Sequence, residues 1–365
     1  MKVGVITIQN AINYGSTLQA YALQEALKDL GHDVVVIDYQ NPKLNAVYRR
    51  NYSMSYVVKL LLKGHLRSGL SECKEINRCK RNDKYRRMLK EYDSYRENKL
   101  QLSDPVINED DEIFQQFDAL ICGSDQVWRT SIVGDQAVYY LDIPNFAHKK
   151  IAYAASGDSV SCKERINSIK RIRHISVREH ELEKELKKMG LNDVVTVCDP
   201  TLLCDKSFWK RQLSVERSDN EYIFAYLMWD EPIVLDYIDQ LSKEKGLPAV
   251  VIHRAAEQVT VNNKTFNTSS PQHFIDLLAN AKYVINNSFH GLAMSIIYEK
   301  QFMVFPSDQR IENCLKTYRL QARSITKTAK LGDIDQPINW KEVDAEMKKE
   351  REFGIKFLEN ALAEP

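Results

Sequence analysis

The sequence predicts an α/β protein made of two Rossmann-like domains with mostly parallel sheets. Three observations point there. Short apolar runs alternate with helical periodicity along most of the 365 residues. Most of the runs are apolar throughout, as in strands covered on both faces of a parallel sheet. The rhythm breaks after Asp199-Pro200 and restarts at Tyr222, and a chain of this length exceeds what most single cores hold.

The elements follow in order. Val3–Ile8 is the first strand and runs into a polar loop, Gln9–Gly15. Leu18, Ala22, Leu23, Ala26, Leu27 and Leu30 then mark a helix, with Gly31 where a terminating glycine belongs. Val34–Ile37 is a second strand, and residues 49–100 form a basic helical insertion. Further strands are expected at Ala119–Cys122, Ile151–Ala154 and Val194–Cys198. The second series has strands at Tyr222–Leu227, Ala249–Ile252, Tyr283–Asn286 and Phe302–Phe305. Ser270-Pro271 supplies an N-cap and first helical residue between them. A charged helix closes the chain from about Trp340. The expected domains are therefore 1–205 and 206–325, with a tail, 326–365, packing back toward the first.

Composition narrows the function. The 51 basic and 50 acidic residues leave a net charge of +1, which argues against a nucleic-acid binder. Charge is nevertheless uneven: Arg49–Lys99 holds 15 Lys or Arg against six Asp or Glu. Within it, Tyr56–Lys63 with His65 and Arg67 is amphipathic and basic. That stretch suits either a helix packed on its domain with solvated charges or peripheral contact with an anionic membrane. Seven single cysteines without a CxxC pair indicate a reduced, cytoplasmic protein with no structural zinc site. The N-terminal apolar run is too short for a signal peptide, and no run is long enough to cross a bilayer.

Four polar turns follow predicted strands, the usual ligand positions of open α/β sheets. Asn13-Tyr14-Gly15-Ser16-Thr17 precedes a helix and offers free amides to an anion or a sugar hydroxyl; an ordinary capped turn fits it equally. It matches neither GxGxxG nor a P-loop. In Cys122-Gly123-Ser124-Asp125-Gln126-Val127-Trp128, Asp125 is a candidate base and Trp128 a candidate platform for a sugar face, against an Asx turn with a core Trp. In Ser176-Val177-Arg178-Glu179, Arg178 is either a bidentate anion clamp or a surface partner of a glutamate. In Asn287-Ser288-Phe289-His290-Gly291, His290 stands at a helix start as an acid/base candidate, with Lys300 and Arg310 following.

The motifs NYGSTLQAYALQ, GHDVVVIDY, CGSDQVW, YAASG, SVRE, DPTLL and NSFHGLAMSIIY occur in this order. That series, from Val3 to about Leu320, resembles the polysaccharide pyruvyl transferase family. The resemblance implies a bacterial enzyme with a fold like that of GT-B glycosyltransferases and an active site in the interdomain cleft. It also implies that pyruvate moves from phosphoenolpyruvate onto two hydroxyls of a sugar, making a cyclic ketal in a surface polysaccharide. The basic stretch Arg49–Lys99 with its apolar run Val57–Leu62 adds the expectation of a lipid-linked oligosaccharide acceptor at the inner face of the plasma membrane, and neither a cofactor nor a metal is implied. By motif, His290 becomes the acid/base residue and Arg178 the anion clamp. Many members carry an arginine where Ser288 stands, so that contact passes to Arg254 or to Arg310. A nucleotide-sugar glycosyltransferase, or a non-catalytic sugar-binding protein of an envelope assembly complex, would suit the same architecture.

Overall fold

In the computed structural model, residues 1–46, 83–214, 221–253, 260–261, 264–265 and 270–363 are described. The first sheet has strands β1 (Lys2–Ile6), β2 (Asp33–Val36), β3 (Ala119–Cys122), β4 (Asp125–Trp128), β5 (Lys149–Gly157), β6 (His174–Val177) and β7 (Val195–Thr196). Their order is β2-β1-β3-β5-β6-β7, with β4 also on β5 and every pair parallel. Strands β8 (Ile223–Leu227) and β9 (Ala249–His253) open the second series, and Thr260–Val261 pairs with Lys264–Thr265 as the antiparallel hairpin β10–β11. Strands β12 (Tyr283–Asn286) and β13 (Gln301–Val304) complete a parallel second sheet ordered β13-β12-β8-β9.

One expected turn is instead a strand. Asp125–Trp128 lies along β5 as β4, continuing the path of β3 after a break at Gly123-Ser124. The break needs glycine. Gly123 has φ 125°, and a Cβ there would stand 2.0 Å from the Tyr153 carbonyl oxygen. Asp125 follows with φ 70°, a left-handed conformation uncommon for a side-chain-bearing residue.

The first helix, Tyr14–Asp29, is buried on nearly every side because it packs between the first sheet, the short helix Pro200–Leu203 and the helices Pro271–Asn280 and Phe289–Ile297 of the second series. Its polar side chains are satisfied: Gln19 donates to Thr7 Oγ1 at 2.8 Å, and Gln24 Oε1 accepts from the Gln101 amide at 2.6 Å. Tyr14, at its start, stacks on Phe274 from the helix Pro271–Asn280, with ring centroids 4.5 Å apart. That contact lies within one continuous core of side chains from both series. The closing helix, Trp340–Ala363, lies against the first sheet: a Cβ on Gly354 would stand 2.6 Å from Tyr153 Oη.

The basic insertion falls largely outside the described residues, including Tyr56–Lys63, His65 and Arg67. The described helix Asp83–Lys99 uses two of its cations internally. Arg96 donates to Asp38 at 2.6 Å and to Gln9 at 2.8 Å, and Lys99 reaches Gln212 at 3.1 Å. No helix among the described residues is long and apolar enough to cross a membrane. The Tyr14–Phe274 stack predicts that Tyr14→Ala and Phe274→Ala each cost about 3–5 kcal/mol. Urea denaturation of both single variants and the double variant should give a coupling energy of about 0.5–1.5 kcal/mol.

Candidate functional site

A cleft of about 330 Å³ lies between the sheets, lined from the first by Asn13, Ser16, Asp125, Gln126 and Arg129 and from the second by Trp229, Asn287, Ser288, His290, Asp308 and Arg310. Most of these residues follow the carboxyl end of a parallel strand: β1 leads to Asn13, β8 to Trp229, β12 to His290 and β13 to Arg310. Such ends leave loops free of ladder hydrogen bonds and face the crevice where open sheets bind ligands.

His290 is the second residue of the helix Phe289–Ile297, whose N-cap is Ser288. Ser288 Oγ accepts from the Gly291 amide at 3.4 Å, so the serine in the expected arginine position serves as a helix cap at the cleft wall. The imidazole packs directly on the first helix: a Cβ on Gly15 would lie 1.9 Å from His290 Nδ1. Gly15 therefore belongs to the site by leaving room for the imidazole.

Behind His290 lies Asp199, fully buried, with Oδ2 3.5 Å from His290 Nε2 and 2.6 Å from Arg178 Nη1. Its other oxygen caps the short helix Pro200–Leu203, accepting from Thr201 N at 3.0 Å and Thr201 Oγ1 at 2.8 Å. Burial alone would raise the Asp199 carboxyl. The His290 imidazole and the Arg178 guanidinium overcome that and hold it well below the usual carboxylate range. Burial likewise opposes the charge on Arg178, but Asp199, Glu179 and Asp125 push its pKa up. Glu179, 3.5 Å from Arg178, is raised by its own burial despite that cation.

This geometry corrects the clamp expected of Arg178. Its side chain is 3% exposed, donates through Nη1 to Asp199 at 2.6 Å, and lies over the Phe289 ring at 4.9 Å. It stands behind the cleft wall, not among the residues lining the cleft. The cleft cations are Arg310 and Arg129. Arg310 donates to Asp308 through Nε at 3.0 Å, and Arg129 lies 3.9 Å from Asp158. Arg254 falls outside the described residues, and Lys300 turns away to the Ala279 carbonyl at 3.0 Å.

Asp125 lines the cleft and accepts from Ser16 Oγ at 2.5 Å and from the Gln126 amide at 2.9 Å. Asn13 caps the first helix, its Oδ1 accepting from the Ser16 amide at 3.3 Å. Three expected ligand contacts are structural instead. Trp128 is fully buried, donates to the Tyr139 carbonyl at 2.9 Å and stacks on Tyr140, so it has no face for a sugar. Ser124 is buried and donates to the Ala154 carbonyl at 2.8 Å. Tyr14 is spent on the Phe274 stack. Asp199 was legible as an Asp-Pro following a strand, whereas nothing in the local pattern distinguishes Arg129 or Trp229.

Residues 13–309 match the family model described as polysaccharide pyruvyl transferase. No similar sequence was found among curated proteins. Among solved structures, the MnaA–UDP complex of S. aureus is similar at a TM-score of 0.52 and 11% identity, covering 99% of this chain and 96% of its own. The UDP-GlcNAc 2-epimerase of Methanocaldococcus jannaschii is similar at 0.52 and 11%, covering 98% and 99%. The UDP-GlcNAc 2-epimerase of Neisseria meningitidis, bound to UDP-GlcNAc, is similar at 0.50 and 11%, covering 98% and 94%. At these identities the likeness shows the fold, which is GT-B-like.

Two outcomes test the site. Gly15→Ala should displace the imidazole, so that in histidine side-chain NMR the His290 signals move while those of exposed His148 and His180 stay. Unmoved His290 signals would refute the close approach. Asp199→Asn should cost about 3–5 kcal/mol at pH 7, because it strips a buried arginine of its main partner. Since the folded pKa of Asp199 is depressed, its contribution is present above about pH 4 and is lost as pH falls. Urea denaturation should therefore show the gap between variant and wild type narrowing below that pH.

Proposed function

The chain belongs to the polysaccharide pyruvyl transferase family, and on that premise we propose that it moves pyruvate from phosphoenolpyruvate onto two hydroxyls of one sugar. The observation that carries the reading is the sharing of one cleft by an imidazole, His290, a carboxylate, Asp125, and two guanidiniums, Arg129 and Arg310. Phosphoenolpyruvate carries a carboxylate and a phosphate, each matched by a guanidinium, and burying either unpaired would cost several kcal/mol.

The chemistry balances with the groups present. His290, protonated, gives its proton to the methylene carbon, leaving a cationic centre at the neighbouring carbon. A sugar hydroxyl oxygen bonds to that carbon as Asp125 takes its proton. The carbon–oxygen bond to phosphate then breaks, the electron pair leaving with the phosphate, and the second hydroxyl adds and surrenders its proton in turn. The products are the ketal and inorganic phosphate, which keeps one of the two hydroxyl protons; the other restores His290. Arg178 acts as a positioning residue, fixing Asp199 and through it the imidazole. The acceptor is proposed to be a lipid-linked oligosaccharide approached from the cytoplasmic side.

Thermal-shift titration tests the donor: phosphoenolpyruvate should raise the melting temperature, as a ligand of the native state must. A rise with UDP-sugars alone would overturn the reading in favour of a nucleotide-sugar enzyme. With a defined acceptor, His290→Ala should lower turnover on the order of a hundredfold or more. Arg310→Lys should mainly weaken the donor, since an ammonium cannot reproduce the guanidinium fork. Normal turnover by His290→Ala would remove it as the acid.

A further inference from the structure

We infer that Trp229 is the platform on which the acceptor sugar stacks, an inference that rests on the ketal-forming reading of the cleft. Trp229 follows β8 and is 41% exposed. Of the five exposed large hydrophobic side chains among the described residues, it is the one that lines the cleft. Trp128 and Trp209 are completely buried, so they have no surface to offer.

The indole is held in place before any ligand arrives. Its Nε1 donates to Glu231 Oε1 at 3.0 Å. Its backbone carbonyl accepts from Asn287 Nδ2 at 3.0 Å, and Asn287 Oδ1 accepts from the Met228 amide at 2.7 Å. Asn287 is 1% exposed and is separated from His290 only by Ser288 and Phe289. One buried amide therefore ties the loop that carries the indole to the loop that carries the proposed acid. A ring seated on Trp229 would be registered against His290 with little further ordering cost.

With its N–H engaged, what Trp229 offers the cleft is an aromatic face. Phosphoenolpyruvate is a small polyanion whose charges are met by the guanidiniums, and it has no extended apolar face to lay on an indole. A pyranose has both sides of the match: an apolar face of C–H groups for the indole, and hydroxyls for Asn13, Ser16 and Asp125 in the same cleft. The ligand class assigned to this position is thus a hexopyranoside ring.

The test uses the full chain and intrinsic tryptophan fluorescence, titrated with methyl glycosides of galactose, mannose and N-acetylglucosamine, with phosphoenolpyruvate, and with UDP. At least one glycoside should shield the emission from acrylamide quenching, and Trp229→Phe should abolish that change. Shielding by UDP alone would assign the indole to a nucleobase, and no shielding by any glycoside would refute a sugar platform. Phosphate release from phosphoenolpyruvate, with the shielding glycoside as acceptor, gives the second readout. Trp229→Ala should raise the KM of the glycoside about tenfold or more, exceeding any fall in kcat, with Trp229→Phe recovering most of the loss. An unchanged KM alongside normal turnover would sink the platform and leave the ketal reading standing. Glycoside shielding without any phosphate release by the wild type would do the reverse.

Discussion

The site is organised around one buried carboxylate. Asp199 is buried, and its charge is offset by a guanidinium and an imidazole beside it and by the Thr201 amide and hydroxyl that donate to it. Each of those partners comes from a different place. Arg178 leaves the end of β6, Thr201 belongs to the short helix that Asp199 itself caps, and His290 arrives from the second sheet. The electrostatic need of a single residue thus fixes the position of the second sheet's histidine against the first sheet.

Steric fit completes what charge begins. The imidazole occupies the space that a side chain at position 15 would fill, and Tyr14 next to it stacks on Phe274. The start of the first helix therefore meets the second sheet at two adjacent residues, one by stacking and one by having no side chain. This contributes to the burial of that helix on nearly all sides.

Cations divide between two tasks. Arg178 is neutralised by carboxylates inside the wall, while Arg129 and Arg310 remain in the cleft with weaker or more exposed partners. A guanidinium can serve as scaffold or as ligand according to how many carboxylates surround it, and residue type alone does not distinguish the two.

Local sequence determined the parts whose physics is local. Both parallel sheets, the Ser270-Pro271 helix start, the terminating Gly31, and the placement of Asn13 and His290 between a strand and a helix follow from periodicity and backbone chemistry. The order of motifs carried the family. What tertiary structure decided is which side chains meet. Arg178 and Trp128 have the chemistry of ligand groups, yet one is claimed by Asp199 and the other by Tyr139 and Tyr140. Arg129 and Trp229 carry no distinguishing pattern, yet they line the cleft. A side chain's availability depends on neighbours distant in sequence, and burial and pairing among those neighbours are settled only when the two sheets come together.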